Sequence, residues 1–269
     1  MRLGAVKFLN AYPLYWGLKF EPKVDIIKDI PSRLADDLFR NELDLAIISS
    51  IEYHKHRDLF NYYDDLCIAA KGTVESIRLY MSPTLGTTSQ QSIDQIKTWL
   101  GKQHKLRIYY DIATRSSLSM LKVLLNEHCP GGKNIDYEFV QIAPPFEQMI
   151  QNLGEQELVL LIGDSALKLK NLPSIDLGDF YFKTFQRAFV YAIWVYRPEN
   201  GSKAKDILLN AYEIGQNNFD LMIKDAICEF NFSEEFTRHY LTNVVQYRFT
   251  TELKDDLVFF YNKFDQLNF

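Results

Sequence analysis

One pattern recurs at least four times along the chain and restricts the folds open to it. An apolar stretch is followed by small polar residues or glycine, and then by an amphipathic helical pattern. The apolar stretches are residues 3–9, 43–48, 106–112 and 158–162. Such alternation is typical of parallel sheets flanked by helices. Ligands of these sheets bind just beyond the carboxyl ends of the strands, beside the amide-rich starts of the following helices.

Asn10 lies between the first apolar stretch and the predicted helix that follows it, in the sequence KFLNAYPLYWGL. Pro13 follows at a position that the first turn of a helix accepts. The side chain of Asn10 is therefore expected at the carboxyl end of a buried strand, where it would face a ligand. A turn-forming asparagine is the alternative reading.

Hydroxyl groups follow two further strands and are candidates for holding a small anion. One set is Ser49 and Ser50, and the other is Thr114 with Ser116 and Ser117. N-capping of the helices that follow is their alternative role, and capping and binding can coexist. Arg115 is a candidate charge partner, although an arginine at a helix start often faces solvent.

After the fourth strand, Gly163 would let a ligand approach the backbone closely, whereas Asp164 is expected to cap its helix. His54 and His56 lie near charged residues with no Cys or third His nearby, so a solvated helix face is expected rather than a metal site. No metal-binding residues are therefore predicted.

Composition excludes several classes of protein. Hydrophobic residues make up 47% of the 269 residues and charged residues 24%, values typical of globular domains. The net charge of −5 argues against a nucleic-acid surface. No apolar run approaches the roughly 20 residues of a membrane span, and Lys7 interrupts any secretion signal, so a cytoplasmic protein is expected. Cys67, Cys129 and Cys228 have no CxxC spacing and are expected to be buried free thiols.

Two segments, residues 75–83 and 188–198, each end at a proline and are predicted to be hinge strands between two lobes. The expected division is a first lobe from residues 1–82, an inserted lobe from 83–187, and a return to the first lobe over 188–269. The last 70 or so residues carry helical patterns without a strong strand signal. A ligand would occupy the cleft between the lobes and be enclosed by hinge closure.

The order and spacing of several stretches resemble the MqnA branch of the menaquinone-biosynthesis family, the chorismate dehydratases of the futalosine route. The matching stretches are LGAVKFLNAYPLYWGL, DIPSRLADDLFRNELDLAIISSIEY, IAAKGTVESIRLYMS, DIATRSSLSMLKVLL, LLIGDSALKL and FVYAIWVYR. The resemblance implies an α/β, two-lobed type II periplasmic-binding-protein-like fold without a secretion signal. It also implies a lyase that removes water from chorismate, an anionic small molecule, without a metal or organic cofactor. The charge and the apolar runs of the sequence independently predict no nucleic-acid or membrane partner.

The reactive pair of that family maps onto Asn10 and Ser76. Neither side chain is a strong base, so the resemblance leads to a substrate-assisted mechanism. In this hypothesis the enolpyruvyl carboxylate of the substrate removes the C3 proton, and Asn10 and Ser76 orient that carboxylate and the C4 hydroxyl. The two substrate carboxylates would find donors at the hydroxyl-rich helix starts.

The resemblance weakens at TFQRAFVYA, where Gln186, Arg187 and Ala188 replace the Gly-Leu-Pro of the family's TGLPFVFA. Arg187 adds a cation that could bind a carboxylate or change the preferred ligand. Two alternatives remain open from the sequence. One is a non-catalytic solute-binding module, and the other is the sister MqnD-type enzyme, which acts on a cyclised futalosine derivative.

Overall fold

A computed structural model describes residues 1–83, 93–128 and 135–267, and the chain divides into two compact units. Unit 1 consists of Met1–Ala70 and Val190–Leu257, and unit 2 of Lys71–Phe189 and Val258–Phe269. The polar loop at 84–92, Cys129 and the expected helix stop at 129–132 lie outside the described residues.

The strands and helices are as follows. The strands are β1 (Arg2–Val6), β2 (Asp25–Asp29), β3 (Leu45–Ser49), β4 (Asn61–Ala70), β5 (Ile77–Met81), β6 (Lys105–Asp111), β7 (Asp136–Ile142), β8 (Glu157–Ile162), β9 (Ser174–Asp176), β10 (Phe189–Tyr196) and β11 (Gln246–Arg248). The helices are α1 (Tyr12–Tyr15), α2 (Pro31–Phe39), α3 (Ser50–His56), α4 (Ile93–Leu100), α5 (Arg115–His128), α6 (Glu147–Gln151), α7 (Gly163–Lys168), α8 (Leu177–Phe185), α9 (Gly201–Asn217), α10 (Phe219–Phe230), α11 (Glu234–His239) and α12 (Thr251–Asp265).

Unit 1 is built on a sheet with the strand order β11-β4-β10-β3-β1-β2. Strand β1 pairs in parallel with β2 and β3, whereas β10 runs antiparallel to β3. Buried strands with nearly continuous apolar runs, such as β3, are typical of sheets covered on both faces. The carboxyl ends of β1, β2 and β3 therefore meet at one edge of this sheet.

A close backbone contact lies beside this sheet, at Gly17 in the 3₁₀ turn Trp16–Phe20. A Cβ atom on Gly17 would lie 2.1 Å from the carbonyl oxygen of Ala211 in α9. Only glycine permits this approach of the turn to the helix.

Unit 2 is built on a second sheet with the strand order β7-β6-β8-β5-β9. Strands β6, β7 and β8 are parallel, and β5 runs antiparallel to both β8 and β9. One face of this sheet packs Tyr80, Val159 and Leu161 against Phe146 and Ile150, which belong to the α6 region. Helix α5 follows β6, α7 follows β8 and α8 follows β9.

The alternation predicted from the sequence is confirmed, since all four apolar stretches form strands followed by helices. The expected boundary between the parts of the chain differs from the observed one. Strand β5, predicted to be a hinge, pairs with β8 and β9 inside unit 2, so unit 2 begins at Lys71 rather than at residue 83. Residues from Val258 onward also belong to unit 2 instead of the first lobe.

Three smaller expectations were wrong. Strand β11 interrupts the C-terminal segment that was predicted to be helical. Cys67 is buried as expected, but Cys228 is exposed. Asp164 was expected to cap its helix, but it lies in the first turn of α7, whose N-cap residue is Ile162.

None of the described helices has the length and apolarity that crossing a membrane requires.

Candidate functional site

Six of the predicted site residues lie at one edge of the unit 2 sheet, namely Ser76, Gly163, Thr114, Arg115, Ser116 and Ser117. Strand β8 ends at Ile162, which pairs with Ile77 at the start of the antiparallel strand β5. Ser76 and Gly163 are the next residues along each chain segment, beyond that pair. Strand β6 is parallel to β8, so the residues that follow it, from Thr114 on, emerge at the same edge. The topology thus groups Ser76, Gly163 and the start of α5.

The backbone around Ser76 forms a sharp turn. Glu75 has a φ of 61°, in the left-handed region that side chains rarely adopt. The N–H of Ser76 donates to the carbonyl oxygen of Val74 at 2.7 Å, and the N–H of Gly163 donates to the carbonyl oxygen of Ser76 at 2.8 Å. Gly163 itself has a φ of 62°. Both segments therefore enter the edge in conformations that favour glycine.

The hydroxyl of Ser76 is buried. The residue is 0% exposed, and among the described residues no group hydrogen-bonds its Oγ. Most buried polar atoms in proteins are hydrogen-bonded, and an unmatched one costs about 1 to 3 kcal/mol. Such an atom marks a place where a further polar group fits.

Asp176 contacts the turn from the end of β9. Its carboxylate accepts hydrogen bonds from the backbone N–H groups of Val74 and Glu75, and also caps α8 through the N–H of Asp179. Burial raises the pKa of the Asp176 carboxyl above its ordinary value, and the three N–H groups oppose that rise. Sequence analysis did not single out this residue.

Helix α5 begins at this edge with a cluster of buried hydroxyl residues, since Thr114, Ser116 and Ser117 are all buried. The Thr114 hydroxyl donates to the carbonyl oxygen of Asp111 at 2.6 Å, so its hydrogen is already used. Arg115 is half-buried. No acidic residue lies in the first turn of this helix, so the positive end of its dipole is not neutralised from within that turn.

A cavity of about 330 Å³ in unit 2 borders Asp176 and Glu75 and is also lined by Arg78 and Lys170. The Nζ of Lys170 lies 3.9 Å from a carboxylate oxygen of Glu75, and the Nε of Arg78 donates to the Oγ of Ser174 at 2.8 Å. Carboxylates and cations are therefore mixed in this cavity, and it carries no clear preference for an anion.

Unit 1 places Asn10 at the carboxyl edge of its own sheet. Asn10 is the middle residue of the 3₁₀ turn Leu9–Ala11, which follows β1 and precedes α1. Its Oδ1 atom is buried and has no hydrogen-bond partner among the residues that the structure describes. Pro13 occupies the first turn of α1, as predicted. Asn10 and Ser76 thus each have a buried polar atom that the described residues leave without a hydrogen bond.

Ser49 and Ser50 lie at the same edge of the unit 1 sheet, at the end of β3. Ser50 is 0% exposed, and its hydroxyl donates to the carbonyl oxygen of Val190 at 2.7 Å. Ser49 is buried at the N-cap position of α3, and its side chain makes no capping hydrogen bond. Because the Ser50 hydroxyl donates its hydrogen to a residue of β10, its role is structural.

Ser32 was missed as a site residue. It lies in the first turn of α2, directly after β2, and its buried Oγ has no hydrogen-bond partner within the described part of the chain. Its position repeats the strand, polar residue and helix order of the other candidates. Because the sequence of β2, DIIKD, is largely polar, it does not show the apolar stretch that precedes the other candidates.

Arg187 lies beyond the C-terminal end of α8, whereas Asp176 caps the start of that helix. The centre of its guanidinium lies 4.6 Å from the centre of the Phe259 ring, a cation–π contact within unit 2. Gln186 is the C-cap residue of α8 and has a φ of 56°.

The two histidines of α3 have structural partners. His54 is 7% exposed, and its Nδ1 lies 2.9 Å from the guanidinium Nη1 of Arg57, so the predicted solvated face was wrong for this residue. The ring of His56 packs 4.1 Å from that of Phe39. Across the described residues, no group of three His, Cys, Asp or Glu side chains has the geometry of a metal site.

Solved structures with this fold differ widely in sequence. A protein from Archaeoglobus fulgidus matches with a TM-score of 0.73 at 14% identity, over 98% of this chain and 96% of its own. A Candida albicans protein described as having the generic periplasmic binding protein structural fold matches with a TM-score of 0.64 at 10% identity, over 100% of this chain and 91% of its own. The chain therefore has the predicted α/β, periplasmic-binding-protein-like fold.

Sequence relatives are more specific. A chorismate dehydratase from Thermus thermophilus is 26% identical over 220 residues, which cover 74% of this chain and 70% of that protein. A family model described as menaquinone biosynthesis matches residues 1–266. Because that match spans almost the whole chain, the protein belongs to the menaquinone biosynthesis family.

Proposed function

We propose that this protein is a chorismate dehydratase, which converts chorismate into 3-[(1-carboxyvinyl)oxy]benzoate and water. The observation that carries the proposal concerns Asn10 and Ser76, the two residues at the positions of the family's reactive pair. Each has a buried polar atom with no hydrogen-bond partner among the described residues. The curated relative from Thermus thermophilus supports the same substrate. The futalosine route and a cytoplasmic location belong to this proposal and rest on the family resemblance.

In the proposed reaction, the bond between C3 and its hydrogen breaks, the electron pair forms the C3–C4 double bond, and the C4 hydroxyl leaves. The enolpyruvyl carboxylate of chorismate takes the proton, which departs with the hydroxyl as water. Aromatisation of the ring supplies the driving force, so the protein has to hold the substrate in a reactive geometry rather than supply a strong base.

The chemistry of the unmatched atoms suggests how the two residues divide this task. Chorismate carries two carboxylates, which accept hydrogen bonds, and one hydroxyl, which also donates. The Ser76 hydroxyl is proposed to donate to the enolpyruvyl carboxylate. The Oδ1 of Asn10 is proposed to accept from the C4 hydroxyl. Each contact would satisfy a polar atom that is costly to leave buried alone.

The second carboxylate, on the ring, is proposed to bind at the start of α5. Backbone N–H groups and the positive end of the dipole favour an anion there, and Ser116 and Ser117 lie in the first turn. Thr114 and Arg115 border this position. The backbone of Gly163 would allow close approach. Ser49 is the corresponding candidate in unit 1, whereas Arg187 is left out because its guanidinium packs on Phe259.

The test is incubation of the purified protein with chorismate, with the products followed by mass. Loss of one water and an aromatic absorption spectrum support the proposal. Binding of chorismate without turnover would overturn it and favour a solute-binding role.

Variants then assign the roles. Ser76→Ala and Asn10→Ala are expected to lower kcat by about ten- to a hundredfold, the effect of losing precise orientation. Ser119→Ala is the matched control, because Ser119 is a buried serine of α5 whose hydroxyl donates to the carbonyl oxygen of Arg115 at 3.0 Å. Asn10→Asp at full turnover and unchanged KM would contradict an orienting amide.

A further inference from the structure

The carboxylate of Asp176 divides its hydrogen bonds unequally between a helix and a turn. Its Oδ1 caps α8 by accepting from the N–H of Asp179 at 3.0 Å, and it also accepts from the N–H of Val74 at 3.1 Å. Its Oδ2 accepts from the N–H of Glu75 at 2.7 Å and lies 3.2 Å from the nitrogen of Val74. One oxygen thus serves the cap and the turn, and the other serves the turn alone.

The Val74–Glu75 turn requires stabilisation by a group outside it. The left-handed conformation of Glu75 costs an L-residue about 1 to 2 kcal/mol relative to the ordinary helical region. Val74 is 2% exposed, so its N–H would be buried without a partner if the carboxylate were absent. The carboxylate offsets both costs, and its hydrogen bonds are charge-assisted and therefore strong.

The conformation of the Val74–Glu75 turn determines the position of Ser76. The φ of Glu75 and the 2.7 Å hydrogen bond between Ser76 and Val74 fix where the Cα–Cβ bond of Ser76 points. Because the residue is fully buried and its hydroxyl has no partner in the described part of the chain, the direction of Oγ depends on this backbone.

We propose that Asp176 is a positioning residue for the dehydration, which holds the Val74–Glu75 turn so that the Ser76 hydroxyl meets the substrate. The inference rests on the proposed function of Ser76. Asp176 acts through the backbone and touches no reacting atom, so its loss should reduce turnover far more than substrate affinity.

Asp176→Asn separates the two roles of the carboxylate. Asparagine is as good an N-cap as aspartate, so its oxygen keeps the contact to Asp179. Its amide nitrogen cannot accept from the N–H of Glu75, so the turn loses a hydrogen bond. The matched control is Ser233→Ala, which removes the side-chain cap of α11 in unit 1.

The experiment measures kcat and KM of the full chain with chorismate, together with backbone hydrogen exchange over residues 72–78. Asp176→Asn is expected to lower kcat by about tenfold or more, with KM changed less than threefold, and to speed exchange in this segment. Ser233→Ala is expected to leave kcat and this exchange as in the wild type.

A second substitution tests the cause. Glycine adopts the left-handed conformation without steric cost, so adding Glu75→Gly to Asp176→Asn is expected to restore part of the lost kcat. Wild-type kcat in Asp176→Asn, unchanged exchange, or no recovery in the double variant would overturn the inference. If the wild-type protein releases no water from chorismate, the proposed function fails, and the exchange data still decide whether Asp176 holds the turn.

Discussion

The N–H of Gly163 donates a hydrogen bond to the carbonyl oxygen of Ser76 at 2.8 Å. This bond joins the start of α7 to the turn before β5, beyond the last residue pair of the antiparallel strands β5 and β8. It extends the pairing of the two strands to Ser76, whose hydroxyl has no hydrogen-bond partner in the described part of the chain. Changes at Gly163 are therefore transmitted to Ser76 through the backbone.

Gly163→Ala is expected to lower both stability and kcat. An alanine at a φ of 62° is strained by about 1 to 2 kcal/mol, and relief of that strain would move the N–H away from Ser76. Gly215→Ala is the matched control, because Gly215 lies in α9 and a Cβ there would lie 3.4 Å from the flexible Met222 side chain of α10 and 3.6 Å from the carbonyl oxygen of Pro13. Alanine in a helix interior should stabilise the protein by roughly 0.5 to 1 kcal/mol. Urea unfolding and turnover with chorismate measure both effects; equal stability changes in the two variants would contradict the backbone argument.

Ser76→Ala is expected to abolish most activity without a loss of stability. The substitution removes a buried hydroxyl that has no partner in the described structure, so the free energy of unfolding should stay constant or rise. Ser119→Ala loses a real hydrogen bond and should cost about 1 kcal/mol. The opposite signs are measurable by urea unfolding. A destabilised Ser76→Ala protein would mean that the hydroxyl has a partner in the free protein.

The periodic parts of the fold could be predicted from the sequence. The strands that precede Asn10, Ser49 and Gly163 are apolar, and the helices after them begin where small polar residues stand, because these effects are local. The pattern of β5 indicated a strand but not its sheet. Pairing partners are set by contacts between distant segments, so the predicted hinge was misplaced.

The contact by which Asp176 fixes the turn before Ser76 could not be predicted for the same reason. Asp176 and Val74 are separated by 102 positions in the chain, and locally Asp176 resembles an ordinary N-cap of α8. The left-handed turn at Glu75 also has no local signal, since glutamate is not a turn-forming residue. Buried atoms without a hydrogen-bond partner among the described residues, such as those of Asn10 and Ser32, can be identified only when the positions of all neighbouring donors and acceptors are known.

Glu157 is expected to make stability depend on pH on the acid side. The N–H of Gly154, the hydroxyl of Tyr109 and the guanidinium of Arg107 all hold the pKa of its carboxyl below the ordinary value, although burial opposes them. A lowered pKa adds stability that is present above the unfolded-state value, about 4.3, and is lost as the pH falls through the folded-state value.

Glu157→Gln is therefore expected to lower the free energy of unfolding at pH 7, with a difference from the wild type that shrinks below about pH 4. Tyr109→Phe removes one donor and should show part of the same dependence. Denaturant unfolding across this pH range measures both. A difference that stays constant with pH would exclude the carboxylate as its source.

Gln186→Gly is expected to stabilise the protein. Gln186 ends α8 with a φ of 56°, a conformation that helix ends usually fill with glycine. The left-handed conformation costs glutamine about 1 to 2 kcal/mol. Loss of the Nε2 hydrogen bond to the Phe182 carbonyl, 3.2 Å long and exposed, offsets only part of that gain. A net gain of about 1 kcal/mol would raise Tm by about 2 °C or more.

Gln186→Ala separates the backbone from the side chain, because alanine loses the same hydrogen bond and keeps the left-handed strain. It should be less stable than the wild type, so the two variants should shift Tm in opposite directions. Neither change should alter KM for chorismate, since Gln186 serves to end α8, at the opposite end from the Asp176 cap. A changed KM in both variants would instead mean that the departure from Gly-Leu-Pro alters substrate recognition.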